Sequence, residues 1–145
     1  LHREGIATYL ETNGALADAL RRLDEQPTHL AMDIKLPGAT GGPALWDDHA
    51  AFLDAALERM DLRPPGALQV KLVLAAGCLG EIARAAALIA DRRRDLPTVL
   101  QPVTPRPGGP PAPPPGETLE AQRLAAAALC DVRVIPQTHV MLGQR

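Results

Sequence analysis

Short apolar runs alternate with longer amphipathic stretches along this chain. Residues 6–11, 28–34, 67–75, 97–103 and 132–136 read as five buried strands. Between them, residues 15–25 set Leu16, Leu20 and Leu23 at i, i+4 and i+7, with Asn13 or Gly14 as the N-cap. Residues 44–60 turn Leu45, Phe52, Leu53, Ala56, Leu57 and Met60 inward, and residues 79–92 do the same with Ile82, Ala86, Ile89 and Ala90. Residues 117–129 complete a fourth helix. The β-α-β-α-β-α-β-α-β order predicts an α/β fold with mainly parallel strands and right-handed crossovers. Five such strands do not close a barrel, and the first would have an open edge, which fits a piece of a longer (β/α) structure.

Four of the five predicted strands run into a polar tag: Glu11-Thr12-Asn13-Gly14, Asp33-Ile34-Lys35-Leu36-Pro37, Gln101-Pro102-Val103-Thr104 and Pro136-Gln137-Thr138-His139. In a repeating strand–helix fold the strand ends of one polarity open onto one face, where ligands bind. Gly14 would let a ligand approach the backbone at a helix start. Asp33 and Lys35, two residues apart, share a strand face and suit either a ligand carboxylate or phosphate, or a solvated ion pair. Gln101 offers an amide donor and acceptor, held extended by Pro102. Gln137, Thr138 and His139 add an amide, a hydroxyl and an imidazole, although a lone terminal His is more often a surface residue.

Composition removes several alternatives. Hydrophobic residues make up 46 % and charged residues 22 %, within the range of soluble globular domains, and 145 residues suffice for one core. Net charge is −2 and aromatic content 2 %, so neither a basic footprint nor a base-stacking surface for nucleic acid is present. No apolar run approaches a membrane span, and no secretory signal is visible. Cys78 and Cys130 lack paired spacing and read as free thiols. Arg92-Arg93-Arg94 suits a helix C-terminus, and Glu58, Arg59, Glu81 and Arg84 read as helix-surface charges. Pro105–Gly116, with seven prolines and three glycines, is expected to be an extended, solvent-facing loop outside helix and sheet. Pro64-Pro65-Gly66 is expected to be a turn. The chain contains no Ser-His-Asp triad, HExxH, P-loop or GxGxxG, which leaves the chemistry to a cofactor. It opens without Met on His2-Arg3-Glu4-Gly5, which reads as a helix end and suggests a fragment of a larger enzyme.

Taken in order, Glu-Thr-Asn-Gly, Asp-Ile-Lys-Leu-Pro, Trp46-Asp-Asp-His-Ala-Ala-Phe-Leu, Leu-Gln-Pro-Val-Thr-Pro and Val-Ile-Pro-Gln-Thr-His resemble the 7-carboxy-7-deazaguanine synthase family. The resemblance extends from Gly5 to Arg145. It implies the C-terminal part of a single radical S-adenosylmethionine partial-barrel domain. It further implies a cytoplasmic lyase of queuosine and 7-deazapurine biosynthesis, which serves tRNA modification. The implied substrate is 6-carboxy-5,6,7,8-tetrahydropterin, the product 7-carboxy-7-deazaguanine, and the cofactors are S-adenosylmethionine, a 4Fe–4S cluster and Mg²⁺. By resemblance, Gly14, Asp33, Ile34, Lys35, Gln101 and Pro102 would contact S-adenosylmethionine, with Lys35 near its carboxylate. Thr12, Gln137, His139 and Arg145 would contact the substrate. The intact enzyme would be a homodimer with no nucleic-acid or membrane partner.

The family's three-cysteine loop and Gly-Gly-Glu-Pro strand are absent, and with them the cluster and Mg²⁺ ligands. The chain alone is therefore expected to be inactive, with no catalytic residue or metal ligand of its own. Val140 stands where the family commonly has Lys. Two other readings remain open here: a cluster-free ligand-binding remnant, and a radical enzyme acting on another substrate.

Overall fold

A computed structural model describes residues 6–60, 67–137 and 143 of the chain. Five strands form one sheet: β1 (Tyr9–Thr12), β2 (His29–Ile34), β3 (Leu68–Leu74), β4 (Thr98–Pro102) and β5 (Val132–Val134). Their order in space is their order in the chain, and every neighbouring pair is parallel. The expected α/β architecture is therefore present, and the open sheet is compatible with a partial barrel. Among the described residues there are five helices rather than four: α1 (Ala17–Arg21), α2 (Pro37–Thr40), α3 (Trp46–Arg59), α4 (Leu79–Ala90) and α5 (Pro115–Ala126).

Strand order and burial together define the two faces. Right-handed crossovers that always step in the same direction put their helices on one side. In β3, Leu68, Val70, Leu72 and Leu74 are buried, while Gln69, Lys71 and Val73 between them are only partly covered. The register aligns Leu30, Met32 and Ile34 of β2 and Leu100 of β4 with the buried set. This face packs on Phe52, Leu53 and Ala56 of α3, Ile82, Ala86 and Ile89 of α4, and Ala121 and Ala125 of α5 in a continuous core. The opposite face carries Glu11, Ala31, Asp33, Gln69, Lys71, Val73, Val99, Gln101 and Arg133.

Two further elements depart from expectation. The first helix occupies only Ala17–Arg21 instead of 15–25, and its N-cap is Leu16 rather than Asn13 or Gly14. Of its three expected inner leucines, Leu20 is buried, but Leu16 and Leu23 are exposed. The Arg59 guanidinium of α3 caps the end of this segment. It donates to the carbonyls of Arg21 (2.5 Å) and Leu23 (2.6 Å), and Pro27, which has no N–H, could not have bonded Leu23 in a longer helix. The second departure is the Pro/Gly stretch. Pro115 and Gly116 form the first turn of α5, where proline's missing N–H is not needed. The preceding loop folds back onto the end of β3: Ala76 N–H donates to the Pro111 carbonyl (3.0 Å), and Gly77 N–H to Glu117 Oε1 (2.5 Å).

The surface charges also find specific partners. Arg92 forms a fork on Asp54 (2.7 and 3.2 Å), Arg93 binds Asp95, and Arg94 donates to the Ala128 carbonyl. The triplet thus ties α4 to α3 and to the end of α5. Glu81 accepts the Gly38 N–H on both oxygens (3.1 Å each) and anchors α2 to α4. Arg84 lies 4.5 Å over the Trp46 ring. The turn expected at Pro64-Pro65-Gly66 lies outside the described residues. Among those described, no helix is long and apolar enough to cross a membrane.

The one-sided core has a direct test in urea unfolding. Leu72→Ala, in the helix-facing row, should cost about 2–5 kcal/mol. Val73→Ala, its neighbour on the other face, should cost at most about 1.5 kcal/mol. Equal losses would mean that both faces are core.

Candidate functional site

Three strands bring four charges together on the face away from the helices. Asp33 of β2 lies directly opposite Lys71 of β3, and Glu11 of β1 opposite Ala31 of β2. Because Ala31 is small, the long Lys71 arm reaches across β2 to Glu11. The Lys71 ammonium contacts Glu11 Oε1 and stands 3.0 Å from Asp33 Oδ1. Lys35, just past the end of β2, donates to Asp33 Oδ2 at 2.7 Å. Asp33 and Lys35 therefore share a face, as their spacing predicts, and they form an ion pair.

The row is balanced, with two carboxylates and two ammonium groups, but its members differ in exposure. Asp33 and Lys71 side chains retain 11 % and 16 % of their accessible surface, against 32 % for Lys35 and 55 % for Glu11. Burial alone would lower the amine pKa of Lys71. The hydrogen bond to Glu11 and the attraction of both carboxylates outweigh it, and the net shift is upward. Asp33 Oδ1 is buried and, despite the nearby ammonium, accepts no well-aligned hydrogen bond.

A buried histidine holds two of the tags. His49 of α3 is fully buried, between Gly14 and the end of β2. Its Nε2 accepts the Lys35 backbone N–H (3.0 Å), and its Nδ1 donates to the Gly14 carbonyl (2.9 Å). A carbonyl accepts only, so these two contacts require the neutral tautomer with its proton on Nδ1. Burial lowers the His49 pKa from its ordinary value near 6.5, opposed by the Gly14 bond and by Asp48. Gly14 itself has φ +60°, and a Cβ there would lie 2.8 Å from Met32 Cε and 2.9 Å from Met32 Cγ. Glycine is therefore demanded twice, by backbone conformation and by close packing.

The other expected site residues fall into distinct places. Thr12 follows the helix-side register, and its Oγ1 accepts the Gly14 N–H (3.3 Å). Ile34 is fully buried in the helix-side core, so only its main chain reaches the strand end. Gln101 pairs with Val73 on the charged face, and Pro102 pairs with Leu74 on the helix side. Gln137 lines a cavity of about 190 Å³ with Ala39, Val103, Thr104, Arg106, Gly109 and Pro110, and its Oε1 is buried without a hydrogen bond. His139 and Arg145, and with them Thr138 and Val140, lie outside the described residues. Gly14 and Lys35 thus meet at His49 through their main chains, and Asp33 joins Lys35 by an ion pair on the other face, whereas Thr12 and Ile34 turn their side chains elsewhere.

Sequence reasoning places Glu11 in a strand-end tag without assigning it a contact and gives Lys71 and His49 no site role, although signals exist for both. In Leu68-Gln-Val-Lys-Leu-Val-Leu, Gln69 and Lys71 alternate with the apolar residues and so mark the second face. His49 occupies the i+4 position between Leu45 and Leu53 on the apolar side of α3.

Among the described residues no group of three His, Cys, Asp or Glu side chains could hold a metal ion. Cys78 is buried at the start of α4, beyond the C-terminal end of β3, and burial raises its thiol pKa. Cys130 is exposed and precedes β5, at the other end of the sheet.

His49 supplies a pH test. Its folded-state pKa lies below its unfolded value, so the unfolded chain takes up the proton first as pH falls. Its contribution to stability is complete above about pH 6.5 and declines below that, with a slope of at most about 1.4 kcal/mol per pH unit. Replacement by Phe, which cannot titrate, should remove this component from urea unfolding measured between pH 7.5 and 5. It should also cost about 2 kcal/mol at pH 7.5, because two buried backbone groups lose their partner. An unchanged pH slope in His49→Phe would show that His49 does not remain neutral in the fold.

No protein-family model matches the chain, and no solved structure matches it. A curated protein does: 7-carboxy-7-deazaguanine synthase of Geobacter sulfurreducens is 41 % identical over 143 residues. The match covers 98 % of this chain and 54 % of the relative, so the chain spans about half the length of that enzyme. Over nearly its whole length, then, this chain is similar in sequence to 7-carboxy-7-deazaguanine synthase, the resemblance to which its strand-end tags point.

Proposed function

We propose that this chain is part of a radical S-adenosylmethionine enzyme of the 7-carboxy-7-deazaguanine synthase type, acting on 6-carboxy-5,6,7,8-tetrahydropterin. The observation that carries the reading is the charged row at the strand ends, in a chain 41 % identical to such a synthase. An amino-acid moiety is zwitterionic. Lys35, with a third of its side chain in water, offers a cation for its carboxylate, and the exposed Glu11 offers an anion for its ammonium. The donor set therefore fits the methionyl part of S-adenosylmethionine. When bound, that cofactor supplies hydrogen-atom abstraction.

This chain's own task is to bind and orient. The Gly14–His49–Lys35 contacts fix the relative positions of the first two strand ends. Gln101 brings a carboxamide to the same face from β4, and Gln137 offers an unpaired acceptor in the neighbouring cavity. An iron–sulfur cluster needs several thiolates. The described cysteines stand at opposite ends of the sheet and do not fit one, nor do the described residues provide a Mg²⁺ site. On this reading the 145-residue chain needs a separate cluster-bearing segment for turnover.

A transplant tests this reading. The aligned part of this chain would replace the matching stretch of the Geobacter synthase, which retains the rest of its own sequence. The chimera, with its cluster reconstituted, should convert the pterin to 7-carboxy-7-deazaguanine, while the 145-residue chain alone shows no turnover. A folded, cluster-loaded chimera that cleaves S-adenosylmethionine without consuming the pterin would favour another substrate. One that binds no S-adenosylmethionine would overturn the proposal.

A further inference from the structure

Asp33 is shared by two cations of different mobility. Lys71 reaches it from the middle of β3, is largely buried, and is held at its other side by Glu11. Lys35 reaches it from beyond the strand end, with a third of its side chain in water. The Lys35 backbone is pinned by His49, so the freedom at this position belongs to the side chain. A ligand carboxylate that recruits Lys35 must take it from Asp33. Were Lys35 the only cation there, its departure would leave a nearly buried carboxylate without a counter-charge, which is strongly unfavourable.

We infer that Lys71 is a positioning residue that neutralises Asp33 and thereby releases Lys35 to an incoming carboxylate. The inference rests on the proposed function only in naming S-adenosylmethionine as the carboxylate-bearing ligand. Three features support it: the direct Asp33–Lys71 register, the gap over Ala31 that lets Glu11 hold Lys71, and the exposure of Lys35. The exchange needs no movement of the backbone. Lys35 leaves one carboxylate for another, and Asp33 keeps its second ammonium.

The experiment compares the 145-residue chain with Lys71→Met and with Lys71→Met/Asp33→Asn, each checked for folding by circular dichroism. In the absence of ligand, acetylation of Lys35 by trace acetic anhydride is read by peptide mass spectrometry. It should slow in Lys71→Met, where Asp33 holds Lys35 alone, and recover in the double variant. S-Adenosylmethionine binding, measured by calorimetry, should weaken about tenfold in Lys71→Met and return to within about threefold of the parent in the double variant. Decarboxylated S-adenosylmethionine should not respond to Lys71→Met. A merely structural loss would not be rescued by removing a second charge.

Unchanged labelling and affinity in folded Lys71→Met would overturn the inference, as would a double variant as weak as the single one. If none of the three proteins binds S-adenosylmethionine but Lys35 labelling follows the expected pattern, the proposed ligand fails. The coupling of Lys71 to Lys35 then stands.

Discussion

A parallel strand pair in one sheet needs a crossover, and the twist of the strands makes that crossover right-handed. In this chain the strands also lie in sequential order, so the crossovers never reverse direction. The helices consequently gather on one side, and the other side of the sheet is free to carry polar groups. Lys71 in the middle of β3 is tolerable only under that condition. A doubly covered sheet would require apolar residues on both faces of its central strands.

Given one free face, the location of each charge follows from register. Asp33 and Lys71 are direct neighbours, whereas Glu11 meets Lys71 only because Ala31 leaves room between them. The buried polar groups at the strand ends are satisfied by a different means. His49 comes from α3, on the helix side, and bonds the backbone of both Gly14 and Lys35. Its ring is a crosslink between two loops, not a reactive group, and burial keeps it neutral. The face thus combines a rigid backbone frame, set by His49 and the glycine at position 14, with mobile ammonium and carboxylate tips.

Much of this was legible in the sequence. β2, β3, α3 and α4 lie close to their expected spans because each has a long, unambiguous apolar period bounded by Pro or Gly. The failures have identifiable physical causes. Leu16, Leu20 and Leu23 carry a helical period, yet α1 stops at Arg21, and Arg59, 36 residues beyond Leu23, bonds the carbonyls of Arg21 and Leu23. No local pattern encodes such a contact. Pro115 was assigned to a loop for its residue type, although a proline is welcome at the first position of a helix. The site was half legible: Gly14, Asp33, Lys35 and Gln101 mark strand ends, while Lys71 lies inside a strand, away from any tag. Thr12 and Ile34 belong to the right tags, but alternation sends their side chains to the helix side.

The Pro-rich loop shows how a segment with little regular structure can still shape a binding face. Its backbone returns to the end of β3 through Ala76 and Pro111, and the helix that follows is tied there by Glu117 to Gly77. Arg106, Gly109 and Pro110 consequently form one wall of the cavity that Gln137 enters after β5. Prolines lose little chain entropy when such a loop is ordered, because their φ is already fixed. Hydrogen bonds at Pro111 and at Glu117 of α5 therefore tie both the loop and the helix after it to the end of β3 at little entropic cost. The loop adds a cation, Arg106, and apolar surface beside the tag that begins at Gln101. Variation in this loop would alter what that part of the mouth accepts while leaving the Asp33–Lys71 row and the His49 crosslink in place.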